Sequence, residues 1–302
     1  PSHPRRRAGR GAAWSLLAPT WLALGAFFLL PLGLMLALSF RRRGLYGGVA
    51  PLPAAEWGRY LRSGAFLGNY ARSLDGVYLA IGWRSLWMAA AAAALCLLIA
   101  FPAAYYLALA ASPRRRPLLV GLVAVPFWTS FLIRTYAWMF ILRTEGLANH
   151  LLLGLGWIHR PLDLLYTQLA VMIGLVYGEL PFMVLPLYAS LEKLDPALLE
   201  AAADLGAGRW ARLARVTVPL ALPGIAAGAV LVFIPSLGQF VVSDLLGGAR
   251  SMLLGNLVQN QFAVARNQPF GAALALELTA AVLALLGGYA LFARRRGAEP
   301  LL

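Results

Sequence analysis

The feature that most constrains this chain is the recurrence of apolar runs long enough to cross a lipid bilayer. Six stand in the sequence, at residues 14–40, 85–111, 117–142, 168–190, 218–243 and 270–293. A helix needs about 20 such residues to span the hydrocarbon core. Backbone groups in lipid must be satisfied within the protein, and runs of this length do so as helices. The chain is 61% hydrophobic and 13% charged, a balance that no water-soluble domain of this size could keep off its surface. An all-α membrane protein of six transmembrane helices is predicted. The first run exceeds the roughly 7 to 15 residues of a secretory core and no convincing cleavage site follows it, so it is read as a retained helix.

The runs divide the chain into a tail at 1–13, the first helix at 14–40, a long loop at 41–84, a five-helix portion at 85–293 with an informative loop at 191–217, and a tail at 294–302. Six crossings put both termini on one side. A slight excess of Lys and Arg on that side favours cytoplasmic termini, although the arginines at 41–43 lie on the disfavoured side.

The formal net charge of +14 would suggest nucleic acid in a soluble protein. Here the arginine triplets at 5–7, 41–43, 114–116 and 294–296 flank apolar runs, where they suit lipid headgroups, and membrane lipid is the expected partner. One cysteine, Cys96, and three scattered histidines, His3, His150 and His159, supply neither a disulfide framework nor a metal site. No catalytic or metal-binding residues are expected.

Prolines interrupt several runs: Pro126, Pro181, Pro186, Pro223 and Pro235. The carbonyls they free need partners from neighbouring helices or water, which points to a packed bundle.

The loop at 191–217 carries the mechanism. Asp195 followed by Pro196 is a strong helix start, because the carboxylate accepts backbone N–H bonds and proline sits where no N–H partner is needed. The helix runs through alanine-rich sequence to Leu205, and Gly206 can take the left-handed conformation that ends it. About three turns result, far too few to cross a membrane. Beyond it, Arg209, Arg212 and Arg215 with Trp210 and Leu213 between them suit a helix lying among headgroups before the chain re-enters at Pro219. A compact helix on a basic stem is suited to docking in another protein's groove. Glu200 and Asp204 share one face, and Ala201 and Ala202 let a partner's backbone come close.

The spacing is specific. Glu200-Ala201-Ala202, three residues, Gly206, nine residues, then Val216-Thr217-Val218-Pro219 resembles the EAA signature of binding-protein-dependent ABC permeases, whose usual ending is Ile-x-Leu-Pro. The departures are two valines. The resemblance implies a type I ABC importer permease core, with this loop cytoplasmic and Glu200, Ala201, Ala202, Asp204 and Gly206 at the contact with the ATPase. It also implies a bacterial inner-membrane location with both termini cytoplasmic. The chain itself lacks a P-loop: the sole lysine, Lys193, stands in Leu-Glu-Lys-Leu and not after a glycine. It is therefore expected to be a transport subunit and not an enzyme, with ATP and Mg²⁺ bound by a separate ATPase.

Further stretches, VPFWTSFLIRTY (125–136), GLVYGELPFMVLPLY (174–188), LEKLD (191–195), SDLLGG (243–248) and LLGN (253–256), look like the spermidine/putrescine permeases, in particular the first of their two permease subunits. That resemblance implies a heterodimer with a second permease, two ATPase copies and an extracytoplasmic binding protein. A polycation would suit Glu179 and Glu277, the only acidic residues within the apolar runs. Trp128, Tyr136, Trp138 and Tyr177 could add cation–π contacts, or serve as interfacial anchors. Arg134, also intramembrane, is expected to have a structural role, with Glu179 as candidate partner. Because the coupling motif is shared across substrates, importers of sulfate, ferric ion or an amino-acid-like solute stay open, as does an ion-coupled secondary carrier.

Overall fold

The computed structural model describes residues 10–295. Five helices are each long and apolar enough to cross a membrane: Leu17–Ser39, Gly76–Ala110, Gln168–Leu191, Arg209–Gly238 and Gln268–Leu291. A sixth crossing exists when the bent pair Arg116–Trp128 and Phe131–Gly154 is taken as one span. The tails at 1–9 and 296–302 lie outside the described residues, whereas residues 10–13 already belong to the first helix, Arg10–Leu24.

The chain forms two compact units, Gly76–Gln259 with the chain from Ala280 onward, and the chain up to Asp75 with Asn260–Thr279. The core of the larger unit is built by the helices Gly76–Tyr105, Gln168–Leu191 and Val218–Gly238, which pack on one another. The seam from the first of these, continued by Leu107 in the π turn Tyr106–Ala110 that follows it, is a stripe of mostly small side chains at helical spacing, Ala93, Cys96, Ala100 and Ala104, set against Met183, Val184, Leu187, Ala221 and Val232. Apolar helices gain no hydrophobic free energy by meeting in lipid, so close approach of small residues supplies the attraction. Gly224 shows how close: a Cβ there would lie 2.7 Å from the Pro186 carbonyl oxygen.

The third span departs from expectation. Instead of one helix over 117–142, helix Arg116–Ala124 tightens into a 3₁₀ turn, Val125–Trp128, and stops. Thr129 and Ser130 are extended, a new helix runs Phe131–Leu142, and the direction changes by 87°. Local chemistry explains the break. The Thr129 hydroxyl and N–H both donate to the Pro126 carbonyl, at 2.9 and 3.3 Å, closing the 3₁₀ turn where an α-helix would have continued.

The basic stem also differs from expectation. Arg209 opens the fifth span itself: Arg209–Arg212 passes through a π turn, Leu213–Thr217, into Val218–Gly238. The wider turn lets the helix run on into Pro219, which has no N–H to donate. No separate headgroup helix is formed.

In the smaller unit the loop after the first span is folded. Helices Trp57–Arg62 and Gly68–Ser73 fasten onto the end of that span: Asn69 Nδ2 donates to the carbonyls of Ser39 and Arg41, at 2.7 and 2.9 Å, and the Tyr60 hydroxyl donates to the Phe40 carbonyl at 2.7 Å. The second span begins at Gly76, nine residues before the predicted start at 85.

Candidate coupling site and transport pathway

The short helix of the fourth loop forms where the sequence places it, Pro196–Asp204. The Asp195 carboxylate accepts the Ala197 N–H at 3.0 Å, and Pro196 fills the first helical position. At the other end Ala207 N–H donates to the Ala202 carbonyl and Gly206 N–H to Ala203, with Gly206 at φ +82°. This pair of bonds is the Schellman termination, and a left-handed residue is its requirement. Both ends of the helix are thus satisfied within the loop itself.

No residue of this helix is buried. Glu200, Ala201, Asp204 and Gly206 are exposed, and Ala202 is half-buried. Leu205, which composition did not single out, is 89% exposed. Beside it a depression of about 430 Å³ is lined by Ala202, Leu205, Gly206, Ala211 and Arg215.

A second feature at the loop's root also escaped the sequence reading. Tyr188 donates its hydroxyl to Glu192 Oε1 at 2.7 Å, and Arg116 approaches the same oxygen at 3.6 Å. The spacing of Tyr188 and Glu192, one helical turn, was the available signal. The contact ties the start of the third span to the chain that leads into the short helix Pro196–Asp204.

Inside the spans the candidate residues separate. Glu179 is 6% exposed, and its Oε2 has no hydrogen-bond partner. The expected contact with Arg134 is not formed. Arg134 instead lies over the rings of Phe127 and Phe131, with centroids at 6.0 and 5.8 Å, and its Nε and Nη1 have no acceptor. Trp138 and Tyr177 meet edge to face at 5.5 Å. Trp128 and Tyr136 are exposed. Glu277 belongs to the smaller unit, where it accepts the Ser73 hydroxyl at 2.6 Å.

A cavity of about 840 Å³ opens where the third loop meets the SDLLGG segment, lined by Arg143, Thr144, Glu145, Asp163, Tyr166 and Gly247. Tyr166 is held at φ +61° with its N–H on the Leu246 carbonyl at 2.8 Å. Buried Asn149 fixes the loop, donating to Thr144 and Leu162 carbonyls at 3.1 and 2.9 Å and accepting the Leu162 N–H. These residues come together only through tertiary folding, and no periodicity announces them.

The described residues thus form a helical bundle with membrane-length spans, and a capped, exposed short helix stands between two of them. The comparisons agree. Residues 64–297 match the family described as binding-protein-dependent transport system inner membrane component, and the chain belongs to that family. It is 42% identical over 270 residues to the spermidine/putrescine transport system permease protein PotB of Haemophilus influenzae, covering 89% of each chain. It is 50% identical over 214 residues to PotB of Escherichia coli K12, covering 70% of this chain and 77% of that one. Its fold is similar to a chain of a bacterial alginate ABC transporter solved with its alginate-bound periplasmic protein, with a TM-score of 0.71, 18% identity and 96% of each chain covered.

Proposed function

We propose that this chain is a transmembrane permease subunit of an ATP-driven polyamine importer, taking spermidine or putrescine from an extracytoplasmic binding protein. The observation that carries the reading is the similarity to spermidine/putrescine permeases across most of the chain, joined to the capped and exposed helix at Pro196–Asp204. Two ATPase subunits close on ATP and Mg²⁺, and the helix, seated on one of them through Leu205 and the face of Glu200 and Asp204, transmits the movement. A second permease completes the pathway, which alternates between outward and inward openings. The ligand and ATP each act by their differential affinity for the two states.

This assignment places the fourth loop and both termini in the cytoplasm of a bacterial inner membrane. The arginines at 41–43 then face outward, against the usual bias. Within the pathway, Trp138, Tyr177, Tyr136 and Trp128 offer ring faces to an ammonium group and Glu179 offers an unpaired carboxyl. Glu145 and Asp163 in the loop cavity, against one arginine, suit a cation arriving from outside. Glu277 is the weaker candidate because Ser73 already occupies one of its oxygens.

The test is uptake into proteoliposomes holding the assembled importer. Labelled spermidine uptake requires ATP and is displaced by unlabelled putrescine, but not by sulfate, ferric citrate or amino acids. Displacement by one of the latter reassigns the substrate, and uptake without ATP points to a secondary carrier.

A further inference from the structure

The end of the first span carries a second, separate site. Ala37 and Phe40 on the span, Trp57, Tyr60 and Leu61 on the helix after it, and Phe66 enclose a cavity of about 340 Å³ with an almost wholly apolar lining. Its walls are held in place by bonds that do not depend on an occupant: Tyr60 to the Phe40 carbonyl, Asn69 to the carbonyls of Ser39 and Arg41, and the 2.7 Å contact of Ser39 with Tyr70. The cavity adjoins a span whose side chains, Leu34 and Leu36 among them, are exposed as lipid-facing residues are.

Its rim is cationic. The Arg41 guanidinium lies over Trp57 at 5.3 Å and that of Arg42 over Tyr60 at 4.8 Å. Stacking on a ring uses the face of a guanidinium and leaves its in-plane N–H groups available. Arg41 donates to the Ala50 carbonyl at 3.3 Å, and its buried Nε has no acceptor. Residues 41–62 contain five arginines and one acid, Glu56, so the surroundings do not neutralise the pair. Arg43 is engaged elsewhere, on the Ala265 carbonyl at 2.8 Å.

We propose that this cavity binds one anionic phospholipid, an acyl chain lying between Phe40, Tyr60 and Phe66 and the phosphate resting on Arg41 and Arg42. An apolar slot beside a membrane span, with paired guanidiniums at its mouth, matches the two ends of a lipid and neither a peptide nor a nucleotide. It also gives a use to arginines that charge asymmetry does not explain. The proposal is independent of which solute the importer carries.

The complete importer, delipidated in neutral detergent, is titrated with phosphatidylglycerol, with phosphatidylcholine of the same chains, and with inorganic phosphate. Native mass spectrometry reads retained lipid and a thermal-shift assay reads Tm. Phosphatidylglycerol is expected to stay bound in preference to phosphatidylcholine by about tenfold and to raise Tm, while phosphate alone does neither. The double variant R41Q/R42Q abolishes that preference. Ala37→Trp, which fills the slot from an exposed position and leaves both arginines, lowers retention of both lipids. Equal retention of the two lipids by the natural protein, an unchanged preference in R41Q/R42Q, undiminished retention in Ala37→Trp, or a phosphate effect equal to the lipid's would each overturn the proposal.

Discussion

The coupling loop and the bent third span both interrupt helical structure, and they do so in opposite ways. In the loop every device is local: Asp195 caps one end, Gly206 closes the other, and the orphan backbone groups at both termini find partners within a few residues. At the bend the backbone is likewise closed, by Thr129 on Pro126, but polar side chains on the bent span and on the fourth span are not. Arg134 Nε and Nη1 and Glu179 Oε2 are left without partners. A satisfied backbone with exposed side chains makes a rigid part that can be pushed. Unsatisfied polar groups inside a span are costly and mark a place where something else must bind or move.

The largest effect is expected at Gly206. A Cβ there meets no atom within 4 Å, so Gly206→Val acts through the backbone alone, where the left-handed conformation costs about 1–2 kcal/mol or more for a branched residue. ATP-driven uptake should fall at least about tenfold while the amount of permease in the membrane stays near normal, and Gly206→Asn should restore most of it. Loss of the protein from the membrane would show that the loop is a folding element and not a lever.

Next comes Glu179→Gln, which keeps shape and removes the charge. If the unpaired carboxyl serves the substrate, the apparent KM for spermidine rises severalfold with assembly unchanged; an unchanged KM takes Glu179 out of the pathway. Arg134→Ala should lower either assembly, read by size exclusion, or transport, because it removes a cation stacked on Phe127 and Phe131. A variant normal in both would leave the bend without a purpose for its arginine. Smaller again is Asp195→Ala, which removes one N-cap bond worth about 1 kcal/mol. Uptake should drop by less than in Gly206→Val. The reverse order would mean that the start of the helix, and not its end, sets the lever's position.

The same contrast explains what could be read from the chain. The short helix of the fourth loop was legible to within one residue, ending at Asp204 and not at Leu205, because its signals, Asp-Pro and a glycine ten residues after the proline, act over one or two turns. The six apolar runs were legible because the bilayer fixes their length. The bend at Thr129 was not: a Pro-Phe-Trp-Thr-Ser stretch inside an apolar run is compatible with a continuous helix, and only the 3₁₀ closure on Pro126 decides. Arg134 and Glu179 form no salt bridge among the described residues, and Arg134 lies over the rings of Phe127 and Phe131. Glu277 was placed among pathway candidates by its position in a span, and its hydrogen-bond partner Ser73 lies some two hundred residues earlier, in the long first loop, where no local signal could announce the contact.

The central claim is that the helix Pro196–Asp204 seats on a separate ATPase, and the protein's cysteine content permits a direct test. Cys96 is the sole cysteine and is fully buried, so Leu205→Cys introduces a single accessible thiol at the exposed helix end. In the assembled importer, a thiol-anchored photocrosslinker at residue 205 should join the permease to the ATPase subunit, with a yield that changes when ATP is added. Crosslinks to lipid or to the second permease alone, with the ATPase present and active, would contradict the account.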